Sequence, residues 1–119
     1  MENRRLFGIQ HAVKGISKGY RGSNFRVMLS TSIIVVAMCS LLQTTIAEWT
    51  MITICIMATL AAELMNTAIE KLCDYITTEY HTKIGEIKDL AAGAVLILSI
   101  GSGIIGLMIL APKVYRLVI

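Results

Sequence analysis

Charge is scarce in this chain of 119 residues: Asp, Glu, Lys and Arg together make up 16%, against 55% hydrophobic residues and a mean hydropathy of +0.71. A soluble domain covers its surface with roughly a quarter of charged residues, so that class is excluded. Proline occurs once, at Pro112, and is predicted to end the last apolar run. Aromatic residues amount to 6% and are nowhere interleaved with basic ones, which argues against a nucleic-acid partner. The three cysteines, Cys39, Cys55 and Cys73, lie in or beside apolar stretches and read as small core residues rather than a disulfide framework. A cleaved signal peptide is not expected, because the first 26 residues carry six basic side chains and no uninterrupted apolar segment. There is no internal repeat and no low-complexity segment.

What is present is a set of long uncharged runs. Val27–Ala47 is 21 residues, Thr50–Ala62 is 13 and Leu90–Ala111 is 22. The first and third meet the length of about 20 apolar residues needed to span a bilayer. The middle one reaches it only by continuing through Glu63, Asn66 and Glu70. Ahead of the runs, Leu6, Ile9, Val13 and Ile16 recur at helical spacing among Arg4, Arg5, Lys14 and Lys18, which predicts an amphipathic helix on the membrane surface. The expected architecture is an all-α integral membrane protein and a single domain over 1–119. It has a surface helix at about 4–21 and transmembrane helices at about 27–47, 51–76 and 87–110, with a polar loop over Thr77–Glu86 between the last two. Trp49 is placed in the turn between the first two spans, as an interfacial anchor. Nine Lys and Arg flank one side and two, Lys113 and Arg116, flank the other, so the positive-inside rule puts the N-terminus and the polar loop in the cytoplasm. Three spans make a thin bundle. Gly93, Gly101, Gly103 and Gly106 offer small faces for close packing, and a homo-oligomer is expected.

Glu63, Asn66, Glu70 and Asp74 stand at i, i+3, i+7 and i+11, which lines them along one face of the second span. A charge at the bilayer centre costs at least about 2.5 kcal/mol, so three carboxylates need water, a cation or polar partners. Lys88 and Asp89 open the third span and can fold back onto the same stripe. Oxygen-only ligands suit Mg²⁺, which takes one or two carboxylates together with substrate phosphates. Phosphoryl transfer needs that metal, a lysine on the phosphates and a carboxylate to accept the proton of the attacking hydroxyl. Glu63, about two turns deeper than Glu70, is placed to meet a lipid hydroxyl. A proton or ion pathway also lines up carboxylates in a membrane and remains the rival on these residues alone.

The stretch Ala62-Glu63-Leu64-Met65-Asn66-Thr67-Ala68-Ile69-Glu70 resembles the E-x-x-N-[ST]-A-I-E signature of prokaryotic diacylglycerol kinases and undecaprenol kinases. Asp74, the triplet Glu79-Tyr80-His81 and the run from Lys88-Asp89 to Leu96 follow in the family's order and spacing. The resemblance implies a homotrimeric enzyme of the bacterial inner membrane. It would use ATP and Mg²⁺ to phosphorylate a lipid hydroxyl at sites shared between subunits. It further implies that Glu63 is the general base, that Asn66 and Asp74 shape the site and that Glu70 ligates the metal. Glu70, Glu79, Tyr80, His81, Lys88 and Asp89 would hold ATP, with Lys88 on its phosphates.

Two positions depart from the pattern. A second metal-ligating acid is expected between the surface helix and the first span, where this chain has Gly22, which leaves a catalytically weakened nucleotide-binding or assembly subunit as an alternative. An aromatic near the adenosine falls at Gln10, for which Phe7 or Tyr20 would substitute. The Glu48-Trp49 turn, Ala91-Ala92-Gly93 and Pro112-Lys113 are more similar to the undecaprenol branch than to the diacylglycerol branch.

Overall fold

The computed structural model describes residues 2–77, 79 and 81–119, with side chains from Phe7 onward. Tyr80 and the side chains of Arg4, Arg5 and Leu6 therefore lie outside the described residues. Four helices follow one another: α1 (Glu2–Gly19), α2 (Ser23–Leu41), α3 (Ile46–Ile76) and α4 (Thr82–Val118). The last three are each long and apolar enough to cross a membrane. At 1.5 Å per residue α3 and α4 are about 46 and 55 Å long, well beyond the roughly 30 Å of a hydrocarbon core. Both therefore project past the apolar layer.

α1 keeps Ile9, Val13 and Ile16, the described members of the expected apolar stripe, more than half exposed along one side. It stops at Gly19, where the chain turns through Tyr20–Gly22. The backbone of Gly19 is pressed against α3 so closely that a Cβ there would overlap the Leu64 side chain. A side chain here would oblige the end of the Leu64 side chain to shift.

The loops differ from the sequence expectation for identifiable local reasons. α2 ends at Leu41, six residues before the predicted limit, because the Thr44 hydroxyl donates to the carbonyls of Cys39 (2.7 Å) and Leu42 (3.1 Å) and so takes over the helix end. Trp49, placed in a turn, is instead helical. Thr45 and Glu48 form a capping box in which the Glu48 N–H donates to Thr45 Oγ1 (3.2 Å) and the Thr45 N–H donates to Glu48 Oε2 (3.3 Å). The polar loop is shorter than predicted, since His81 caps α4 by accepting the Lys83 N–H on Nδ1 (3.2 Å), and Lys83, Gly85 and Glu86 are helical. Pro112 does not end the last span. It lies inside α4, which runs on to Val118. A proline removes one backbone donor, a loss that a membrane helix tolerates when neighbouring groups hold the segment, and Lys113 ties this one to the α2–α3 turn.

α3 and α4 pack antiparallel along their length, joined by Thr59 Oγ1 and Ser102 Oγ at 3.0 Å, while α2 packs mainly on α3. The molecule is only 21 Å thick, about two helix diameters, so few side chains are enclosed. The buried cluster is Cys39, Ile52 and Leu110, flanked by Val35, Met38, Trp49, Ile56 and Ile109. It sits at the end of the bundle that contains the α2–α3 turn. The three cysteines are free thiols, as expected. Hydroxyls within the apolar helices are satisfied locally: Thr31, Ser32, Thr50, Thr53 and Thr59 each donate to the carbonyl four residues back.

Candidate active site

The polar stripe of α3 lies at the opposite end from that cluster. Its helical spacing puts Glu63 and Asn66 on the face that meets the rest of the protein. They are the two buried polar residues among those described, at 5% and 6% exposure. Burying an amide or a carboxylate is costly unless each polar atom finds a partner. Asn66 finds only one: Nδ2 donates to Glu70 Oε1 at 3.3 Å, while Oδ1 is enclosed without a partner. Glu70, one turn further, is exposed. The Glu63 carboxyl group stands about two helical turns from that of Glu70 along the same face.

Beyond Glu70, the start of α4 lies beside the end of α3. Lys88 Nζ pairs with Asp74 Oδ1 at 2.6 Å, with both side chains substantially exposed, and lies near enough to Glu70 to feel its charge. An exposed pair of this kind is held weakly. Lys88 is therefore free to transfer to an arriving anion.

The predicted residues thus divide. Glu63, Asn66, Glu70, Asp74 and Lys88 are brought together. Asp89 is exposed and lines a separate shallow groove of about 600 Å³ with Glu86, Leu90, Gly93, Ala94 and Ile97. Consecutive helical residues point about 100° apart, so Lys88 and Asp89 do not share a face. Glu79 is exposed on the connecting segment, its N–H donating to Thr77 Oγ1 (3.1 Å), and His81 is engaged as a helix cap.

The donor set bears on a metal. Among the described residues no three Asp, Glu, His or Cys side chains converge as a preformed cage. Two carboxylates, Glu63 and Glu70, and one amide stand together, all hard oxygen donors and one of them unpartnered. This set fits a hard divalent cation whose remaining positions are filled by phosphate and water oxygens, the usual arrangement for Mg²⁺. Gly22, two residues before Asn24, caps α2 with φ −75° and ψ 135°. It is the position where a further acid is expected, and glycine offers no side-chain ligand there.

Residues 10–110 match the sequence pattern of the prokaryotic diacylglycerol kinase family, a span that includes every member of this cluster. The chain belongs to that family. It is 38% identical over 112 residues to the undecaprenol kinase of Bacillus subtilis strain 168, covering 93% of this chain and 91% of the relative. It is 29% identical over 116 residues to a diacylglycerol kinase of Synechocystis sp., covering 96% and 66% respectively. A diacylglycerol kinase of Helicobacter pylori strain 26695 is 31% identical over 75 residues, covering 63% of this chain and 59% of the relative.

The protein is therefore a multi-pass membrane lipid kinase. Along α3 the cluster divides: Glu63 and Asn66 are buried, whereas Glu70 and Asp74, nearer the helix end, are exposed with Lys88 beside them.

Proposed function

We propose that this lipid kinase transfers the γ-phosphoryl group of ATP to the primary hydroxyl of a polyprenol, with diacylglycerol as the weaker substrate. Glu63 accepts the hydroxyl proton as the lipid oxygen bonds to the γ-phosphorus. The bond from that phosphorus to the β,γ-bridging oxygen breaks, and ADP leaves. Lys88 moves from Asp74 to the phosphates, where a cation is worth most as negative charge shifts toward the leaving group. Glu70, with Asn66 beside it, would hold Mg²⁺. When bound, that ion neutralises phosphate charge and aligns the β- and γ-phosphates. Glu79, Tyr80, His81 and Asp89 are assigned to the nucleotide's outer contacts, Asp89 from its own face of α4. The whole chain acts as one kinase domain in the inner membrane, assembled as a homotrimer, with α1 and the polar cluster on the cytoplasmic side.

The observation that carries this reading is the enclosed, half-satisfied Asn66 between a buried and an exposed carboxylate. Retaining an orphan acceptor beside two acids makes physical sense where a ligand completes the set.

The preference for a polyprenol rests on a groove of about 960 Å³ among α2, α3 and α4, lined almost wholly by apolar atoms. The register set by Thr59–Ser102 and Asp74–Lys88 puts Ser99, at one end of the groove, level with Glu63. From Ser99 the groove follows α4 to Val118, about 28 Å. An acyl chain confined to one leaflet fills about half of that length, whereas a polyprenyl chain is long enough to occupy it all.

Gly22 favours one other reading, a catalytically weakened subunit that binds nucleotide. Both are tested by following radiolabelled phosphate from ATP into lipid in mixed micelles, with undecaprenol or diacylglycerol and with or without EDTA. Metal-dependent labelling of undecaprenol in excess of diacylglycerol is expected, and no labelled lipid with either would overturn the kinase reading for this chain. Nucleotide binding without product would establish the weakened subunit.

A further inference from the structure

We propose that Gly106 is a specificity-determining residue: the space left over it lets one long polyprenyl chain run through the middle of the groove among α2, α3 and α4 to the far end of α4. This rests on the reading of that groove as the seat of a polyprenol substrate.

The groove leads to the candidate active site along a single helix face. On α3 its wall includes Ile52, Ile56 and Thr59, and the next positions at the same helical spacing are Glu63 and Asn66. Asn66 keeps a buried oxygen without a partner at that end. On α4 the wall changes character along its length. Ser99, Ser102, Gly103 and Gly106 line the part nearest Glu63, whereas Leu107, Leu110 and Tyr115 lie farther along. A Cβ added at Gly103 or Gly106 would meet nothing within 4 Å. Neither glycine is therefore needed for packing within the chain, and each is a poor helix former. What the pair provides is width.

The dimensions choose the occupant. A volume of about 960 Å³ over about 28 Å of α4 is a mean section of roughly 34 Å². An α-helix with its side chains is about 10 Å or more across, a section of roughly 80 Å², so a helix of a second copy does not enter the groove to its depth. A single hydrocarbon chain is far thinner and does. Diacylglycerol brings two chains to a channel sized for one, whereas a polyprenol brings one.

Gly106 lies seven residues beyond Ser99, about 10 Å along the groove. A large side chain here would stand across the path, closing the stretch from Leu110 to Val118 to a chain whose hydroxyl is at Glu63 and leaving the entrance open. A short prenol ends at about this level, and a long one passes it. In a bilayer the surrounding lipid is as apolar as the groove, so selection between them rests on steric fit and van der Waals contact rather than on removal from water. Width at one position is then enough to set chain length.

The test measures kcat/KM for undecaprenol and for geraniol, a prenol too short to pass Gly106, with the full-length protein in mixed micelles. Gly106→Leu is expected to lower the ratio of the two about tenfold, and Gly106→Ala by a smaller factor. Met108→Phe, which adds bulk at an exposed position of α4 outside the groove, should leave the ratio as it is. An unchanged ratio in Gly106→Leu, or an equal change in Met108→Phe, would overturn the proposal. So would a smaller oligomer of Gly106→Leu by light scattering with both substrates slowed alike, which would give the groove to a second copy. A second readout does not depend on turnover: a long-chain polyprenol carrying a diazirine at its far end, photolysed and mapped by mass spectrometry, should label Leu110–Val118 in the wild type and lose that label in Gly106→Leu. If the wild-type protein phosphorylates no lipid, the kinase reading falls by itself. The label then decides about Gly106, and labelling of that segment undiminished in Gly106→Leu refutes its role.

Discussion

The two ends of the helical bundle draw on the same kinds of polar group and leave them in different states. At the end bearing the α2–α3 turn, Lys113 donates to the carbonyl of Gln43 and pairs with Glu48 Oε2 at 2.9 Å. The same Glu48 completes the capping box with Thr45, beside the buried Cys39, Ile52 and Leu110. These named groups are all engaged by others of the chain. At the other end, Asn66 has one long hydrogen bond and one orphan oxygen, Glu63 is enclosed, and Lys88 rests on an exposed Asp74. A closed network stabilises the helices that make it. An open one, maintained at a cost in burial, is what a substrate and a metal require.

Substitutions should separate the two ends cleanly. The largest effect is expected at Glu63. Glu63→Gln keeps shape and helix but removes the proton acceptor, and lipid phosphorylation should fall by about 100-fold or more while circular dichroism is unchanged. Retained activity would mean that the enclosed carboxylate is structural and that the contrast between the ends is false. Next is Lys88→Met, which should reduce kcat/KM for ATP about tenfold or more through loss of phosphate stabilisation, whereas binding of lipid to the variant should be unaffected. Gly22→Glu tests whether the open end is also short of an acid. The backbone at this position is in the extended region open to any residue, and a new Cβ would meet only the Gly19 carbonyl oxygen at 3.3 Å. A gain in rate and a tighter apparent Mg²⁺ requirement are expected, and no gain would show that the existing oxygen donors suffice.

The far end should respond in the opposite sense. Lys113→Met should lower the thermal midpoint of the detergent-solubilised protein and leave kcat within about twofold. A large loss of rate with normal stability would place Lys113 in the enzymatic machinery. The smallest effect is expected for Thr45→Ala, which removes half of the capping box and should cost about 1 kcal/mol of stability, read in the same melting experiment with turnover intact.

Much of this was legible in the residues. The spacing of Glu63, Asn66, Glu70 and Asp74 fixes a common helix face, because helical periodicity is a local property. The T-x-x-E pattern at Thr45–Glu48 is a recognisable helix start, although the neighbouring Trp49 suggested an interfacial turn. Pro112 misled for a physical reason. The rule that proline ends a helix assumes that nothing else secures the segment beyond it, and here Lys113, the very next residue, is bound to another turn of the chain. The separation of Lys88 from Asp89 follows from helix geometry once α4 is known to begin at Thr82 and not after the polar stretch. The approach of Gly19 to Leu64 had no local signal at all, since it exists only in the packed helices.

The sequence by itself determined that this chain is a membrane lipid kinase with an acidic stripe on its second span. Apolar length, helical period and the signature of Glu63 to Glu70 are written along the chain and need no partner to be read. Only the tertiary structure decided which members of the stripe are enclosed. Burial depends on where other helices cross. α1 and α2 cover α3 around Leu64, shutting Glu63 and Asn66 away from water while the projecting end of α3 leaves Glu70 and Asp74 in it.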